Sequence, residues 1–421
     1  MKHRPVANLK NEIDSVLLAG RILMESGAEV SRIETTMHHI AEALAIEQFE
    51  VYVVNQGIIA SGTNQLGYQE SKVMNVNETV IDLGKLEAVN ALSRSLSKKS
   101  KVTAAYIFHK LKDINTSQLY PLPSILAAYF FGAGGFSLAL GSSPIDSFTA
   151  AVAGLLAGCF IQVASSRIHT PFLTTILASS IVSLSVNLFY FLGLGETRSI
   201  IILGALMIMI PGGFFVNAIR EISHNNFTTG FTLLMSALMT CISISVGVAS
   251  MTELLPFADQ MTGTFSTERV SSLSILSQTL AAGLGTIAFS ITYNVPKRYL
   301  VDIGVIGALS WLLYLILEET FSMNIVAIFI PGLFAALTSK VLAARRKAPM
   351  TIFLSTSIFP LIPGLSFYRG IYFMLTGSQE LALTHMRTSF ITAFAITVAI
   401  SLIQQFPLTL FSKQKNLAPP R

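Results

Sequence analysis

The spacing of apolar residues changes character once along this chain. Over residues 11–26 the apolar positions Ile13, Val16, Leu17, Ile22 and Leu23 fall on one helical face, with Gly27 as a stop signal. Residues 30–44 repeat the pattern through Ile33, Met37, Ile40 and Leu44. Residues 49–60 are β-branched and alternating, 62–67 form a turn cluster, 71–76 read as a returning strand, and 80–96 as a third helix. Elements with one polar face keep water on that side, so this region predicts a small soluble α+β domain. Beyond it the polar faces vanish. About ten apolar segments follow, each long enough to cross a hydrocarbon layer of roughly 30 Å. They are 122–140, 145–163, 172–192, 200–218, 230–250, 274–293, 300–317, 323–342, 350–374 and 388–404.

Two of these segments carry a helix breaker in the same setting. Residues 208–221 read Ile-Met-Ile-Pro-Gly-Gly-Phe-Phe-Val-Asn-Ala-Ile-Arg-Glu, and residues 359–372 read Phe-Pro-Leu-Ile-Pro-Gly-Leu-Ser-Phe-Tyr-Arg-Gly-Ile-Tyr. Pro211 and Pro363 are 152 positions apart, as are Pro144 and Pro296, and the loops between segments coincide under the same shift. The longest polar connection falls between the fifth and sixth segments. Five is an odd number, so a second half entered directly after the first begins on the opposite face, and the repeats are expected to be inverted. The pattern thus predicts a polytopic α-helical membrane protein: about ten transmembrane helices as two inverted five-helix repeats, preceded by the α+β domain. The expected organisation is 1–115 cytoplasmic domain, 116–250 first repeat, 251–273 extracytoplasmic linker, 274–410 second repeat and 411–421 cytoplasmic tail.

Composition narrows the class. The chain is 52% hydrophobic and 12% charged, with mean hydropathy +0.62, against roughly 25% charged in soluble domains. The net charge of +5 marks cytoplasmic loops in such a chain and gives no reason to expect nucleic acid. With the N-terminus inside, the inner loops and tail hold Arg167, Arg220, Lys297, Arg298, Arg345, Arg346, Lys347, Lys413, Lys415 and Arg421, and the outer loops only Arg198, Arg269 and Arg387. Both termini are therefore expected in the cytoplasm and the chain in the plasma membrane. Cys159 and Cys241 lie inside apolar runs without metal or disulfide spacing. The polar N-terminal region reads as no cleavable signal peptide.

Several motifs resemble the threonine/serine exporter (ThrE) family. Residues 18–37, Leu-Ala-Gly-Arg-Ile-Leu-Met-Glu-Ser-Gly-Ala-Glu-Val-Ser-Arg-Ile-Glu-Thr-Thr-Met, with Val51-Tyr-Val-Val and Ser61, are similar to its N-terminal region. Ile210-Pro-Gly-Gly with Asn217-Ala-Ile-Arg-Glu resembles its first membrane motif, and Asn294-Val-Pro-Lys-Arg with Leu361-Ile-Pro-Gly its second. The resemblance implies the fused two-half form, ten membrane helices, and export of small hydroxy amino acids driven by an ion gradient. It does not fix the substrate and is compatible with other small amino acids or organic acids such as dicarboxylates.

Matched interruptions in two halves point to a transporter's binding site, because they free backbone groups that membrane depth tolerates only beside protein or a watery cavity. The expected solute-binding residues are Pro211, Gly212, Gly213, Asn217, Pro363, Gly364 and Arg369. Arg369 reads either as a carboxylate clamp or as a structural arginine reaching the membrane surface. Asp302, Asp146 and Glu221 are the proton-coupling candidates, although Asp302 also fits a helical salt bridge with Arg298 four residues earlier. Gly132, Gly134 and Gly135 read first as close helix packing. No cofactor or metal is expected: Glu34, His38 and Glu42 share a face that fits solvent better than a ligand set. The expected partners are a small amino acid or organic acid, the bilayer and protons, with a homo-oligomer left open. No Walker-type phosphate loop occurs. A membrane-tethered hydrolase using Ser61 stands as the contrasting reading, although Ser61 lacks the Gly-x-Ser-x-Gly setting.

Overall fold

The computed structural model describes residues 7–54, 56–63, 67–76, 80–96, 102–165, 167–168, 170–254, 274–320, 324–362 and 364–406. Residues 255–273, which make up most of the expected linker, lie outside the described residues, as do Pro363 and the tail from 407. The chain divides into two compact units. One comprises Met1–Tyr120 with His224–Thr229 and Tyr293–Pro296; the other comprises Pro121–Ser223, Gly230–Thr292 and Lys297–Arg421.

The first unit is α+β. Helices α1 (Ala7–Glu25) and α2 (Val30–Ala43) precede three antiparallel strands, β1 (Glu47–Val54), β2 (Gly57–Thr63) and β3 (Gln69–Asn75), paired in that order. Alternation along β2 buries Ile58 and Ala60 and leaves Ile59 outside, so one sheet face meets the helices. Ile13, Val16 and Leu17 of α1 and Ile33, Met37 and Ile40 of α2 complete the core. The expected single strand over 49–60 is two strands. The chain reverses between Val54 and its pairing partner Gly57, with Gln56 at φ 62°, and β2 runs on to Thr63. Helix α3 (Leu83–Leu96) starts later than expected because Asp82 caps it, its Oδ1 accepting the Lys85 N–H at 2.9 Å. Apolar spacing alone does not mark α4 (Ala104–Thr116), which inserts Ile107 and Leu111 into the core.

The second unit is helical: α5 (Leu122–Ala139), α6 (Pro144–Ala164), α7 (Pro171–Phe191), α8 (Arg198–Leu206), α9 (Gly212–Ser223) and α10 (Phe227–Leu254) form one series. Helices α11 (Ile275–Thr292), α12 (Leu300–Thr320), α13 (Asn324–Arg346), α14 (Met350–Ser357), α15 (Gly364–Leu375) and α16 (Gln379–Gln405) form the next. Eight of these helices are long and apolar enough to cross a membrane, or up to ten spans result if each bent pair, α8–α9 and α14–α15, counts as one. The protein is therefore a multi-pass membrane protein. Large apolar residues such as Phe131, Leu284 and Phe394 face outward, and small residues fill the helix contacts. In lipid the gain comes from close approach rather than from expelling water. A Cβ at Gly135 would lie 3.0 Å from the Gly285 nitrogen and 3.1 Å from the Ala281 carbonyl oxygen, so α5 and α11 meet backbone to backbone. Gly134 meets α6 in the same way, which bears out the packing role expected for this cluster. Helix α16 begins at Gln379, nine positions before the expected 388.

Candidate functional site

Both halves break in the same manner. In the first, α8 tightens into a 3-10 turn at Met207–Met209 and Ile210 becomes extended (φ −68°, ψ 127°) before α9 starts at Gly212. In the second, α14 gives way to a 3-10 turn at Phe359–Leu361 and Ile362 is extended (φ −69°, ψ 135°) before α15 starts at Gly364. The local chemistry permits the break. Proline denies the preceding turn its amide and disfavours helical backbone in the isoleucine before it, and the following glycine permits a fresh start. The axes bend by 61° at the first break and 43° at the second.

The two breaks touch. A Cβ on Gly212 would lie 2.5 Å from Ile362 Cγ2, so only glycine lets α9 begin against the residue preceding Pro363. One turn further on, Phe215 of α9 and Phe367 of α15 pack with ring centroids 5.2 Å apart. These residues, 152 positions apart, share a buried cluster with Cys241 of α10 and Ala393 of α16, also 152 apart. At this contact each phenylalanine packs on the residue that the 152-position shift relates to it. The first turns of α9 and α15 thus start side by side, and each carries backbone N–H groups that its own helix cannot satisfy. Such termini favour a negative group.

The remaining expected residues are distributed unevenly around this point. Pro211, Gly212 and Gly213 are buried at the first break. The Asn217 side-chain oxygen accepts a hydrogen bond from Arg220 Nη2 at 3.0 Å, and Asn217 makes none with Arg369 among the described residues. Arg369 on α15 is half-buried, and its Nε is buried without a partner among the described residues. Glu221 is buried on α9. Asp146 lies away from the breaks, in the first turn of α6, where its carboxylate accepts the backbone N–H groups of Glu196 at 2.6 Å and Thr197 at 3.1 Å. It anchors the loop before α8. For Asp302 the expected bridge to Arg298 is corrected: Arg298 sits in a 3-10 turn before α12, and the carboxylate bonds Arg346 Nη2 of α13 at 2.9 Å. In the α+β unit, Ser61 Oγ is engaged by Ser71 Oγ and Gln69 Nε2, neither of which can take its proton as a general base.

Three residues near the second break escaped the sequence reading. Tyr368 is fully buried with its hydroxyl unpartnered among the described residues, and the same holds for the hydroxyl of Ser357. His385 stacks on Phe373 with centroids 5.5 Å apart and lies within electrostatic reach of Arg369. The sequence did contain a signal for Tyr368, an aromatic hydroxyl beside an arginine inside an apolar segment. His385 was hidden because the polar run 378–387 reads as a loop, whereas it forms the start of α16.

Comparison with known proteins matches most of the chain. A family model described as "Putative threonine/serine exporter" matches residues 14–255, and a second, "Threonine/Serine exporter, ThrE", matches residues 278–406. Among curated proteins, the chain is 22% identical over 403 residues to a "Probable threonine/serine exporter" of Mycobacterium tuberculosis, covering 93% of this chain and 75% of that protein. It is 21% identical over 414 residues to a "Threonine/serine exporter" of Corynebacterium glutamicum, covering 95% and 82%. No solved structure matches. With one model spanning most of the α+β unit and the first helical series and the other spanning the second series, the chain belongs to the threonine/serine exporter family.

Proposed function

We propose that the protein is a secondary transporter that exports threonine, serine or similar small amino acids across the plasma membrane, coupled to the proton gradient. The observation that carries this reading is the meeting of the two helix breaks at Gly212 and Ile362 inside the membrane-spanning unit. Paired N-terminal turns and Arg369 suit the carboxylate of an amino acid, and the chain's extended carbonyls before each proline suit its ammonium. Arginine adds a planar fork matched to a carboxylate.

The first compact unit supports a ten-span topology with inverted halves. Tyr120 and His224–Thr229 belong to that one unit, and between them run α5, α6, α7 and the bent pair α8–α9. Were the pair re-entrant, the crossings would be odd in number and the unit would have to straddle a layer roughly 30 Å thick. A pair that crosses as one span keeps the unit on one face. The matching pair α14–α15, crossing likewise, gives five spans per half, an odd number that inverts the second half. The bias of basic residues supports a cytoplasmic N-terminal domain and cytoplasmic termini.

Counterflow of labelled threonine, serine and succinate into liposomes holding the pure protein, with a pH gradient imposed or collapsed, tests the reading. Threonine or serine uptake that follows the gradient supports it. Movement of succinate alone favours the organic-acid alternative, which the carboxylate argument permits equally, and passive equilibration unaffected by any gradient would leave a pore.

A further inference from the structure

Within the first compact unit, the turn joining α11 to α12 is gripped at three consecutive residues. The Leu83 N–H donates to the Tyr293 carbonyl at 2.9 Å, Asn294 Nδ2 donates to Asp82 Oδ2 at 3.1 Å, and the Tyr120 hydroxyl donates to the Val295 carbonyl at 2.6 Å. Asp82 divides its carboxylate between this turn and the cap of α3, where Oδ1 holds the Lys85 N–H. The fit is close. A Cβ on Gly84 would lie 2.6 Å from the Asn294 carbonyl oxygen and 2.2 Å from Leu119 Cδ1, so a larger residue displaces the turn. Asn294 adopts φ 54°, a left-handed conformation that asparagine accepts more readily than most residues. Val295 is fully buried and Tyr120 nearly so. Burial pushes the Tyr120 hydroxyl up to about 12, which keeps it protonated and donating throughout the physiological range.

A turn between two membrane spans can leave its polar groups to water. Here they are bonded within the first compact unit, with Val295 fully buried and Tyr293 and Asn294 half-buried. Tyr120 lies two residues before the first helix of the first half, and Tyr293–Pro296 lie between the first two helices of the second. One cluster of hydrogen bonds therefore ties the entrance of one repeat to the first turn of the other. We propose that Asp82, Leu83 and Tyr120 form a clamp on Tyr293–Pro296 through which the N-terminal domain sets the position of the α11–α12 pair during transport. Asp82 and Asn294 are positioning residues in this scheme and touch no solute. The rate part of the test rests on the transport reading above; the exchange part does not.

The test compares the full-length wild type, Asn294→Ala, and the exchange variant Asp82→Asn with Asn294→Asp, which rebuilds the hydrogen bond with donor and acceptor reversed. Asn294→Ala is expected to lower the maximal transport rate about fivefold, the order set by one lost hydrogen bond, with KM and the amount of folded protein unchanged. The exchange variant recovers most of that rate. Amide hydrogen exchange of segments 83–86 and 293–296 should quicken in Asn294→Ala and slow again in the exchange variant. An unchanged rate in Asn294→Ala overturns the proposal, as does a loss that follows lost protein or that the exchange variant fails to restore. If the wild type moves no solute, the transport reading fails, and the exchange measurement alone decides the clamp: unaltered protection in Asn294→Ala sinks it.

Discussion

Gly212→Ala measures the contact between the two breaks directly. The added methyl would lie 2.5 Å from Ile362 Cγ2, 3.2 Å from Cβ and 3.3 Å from Cδ1. Ile362 is extended, 5% exposed and followed by proline, so neither its backbone nor its branched side chain has room to retreat. Overpacking of this kind costs about 1–3 kcal/mol, and three contacts with one rigid neighbour put the value near the upper end. Ile362→Ala removes the obstructing atoms and by itself costs about 2–4 kcal/mol for the cavity left behind. In the double variant the new methyl occupies part of that cavity, so the combined cost should fall short of the sum by about 1 kcal/mol or more. Unfolding of the purified single and double variants in mixed micelles gives the three values. Additivity within about 0.5 kcal/mol would mean that the two breaks do not meet, and the paired-terminus account of the site would go with it.

Arg369→Lys should reduce transport about tenfold at unchanged protein level, the factor expected when a two-pronged carboxylate contact becomes a point charge; normal counterflow would make Arg369 a structural anchor. Lys340 on α13 donates all three of its N–H bonds to the end of α16, to Ile403 O at 2.6 Å, Gln404 O at 3.0 Å and Phe406 O at 2.6 Å. Lys340→Met should therefore cost about 2 kcal/mol in the same unfolding assay, and a change below about 0.5 kcal/mol would show the cap to be idle. For topology, a cysteine introduced at Asp259 should react with an impermeant reagent on intact cells while one at the exposed Arg345 is spared; the reverse pattern overturns the cytoplasmic N-terminus.

The apolar spacing of α1, α2 and the long helices was enough to predict them, since a continuous apolar run or a one-sided helical stripe has few other ways to satisfy its backbone and side chains. The 152-residue repeat was legible for the same reason, because equivalent elements need equivalent prolines. What local chemistry left open is clearest in the triplet Ile-Pro-Gly, which occurs at 210–212, 330–332 and 362–364. All three carry the same missing amide. Pro331 nevertheless lies inside the unbroken α13, which packs along α12, α14 and α16, so neighbours hold the helix together across the defect. At Pro211 the chain turns instead, with Gly212 seated against Ile362 of the opposite series. The partner of Asp302 was decided in the same way, since Arg346 is brought to it by the packing of α13 on α12 while Arg298, nearer in sequence, stands outside the helix. Sequence determines where a helix can fail; whether it does depends on what the rest of the fold places beside it.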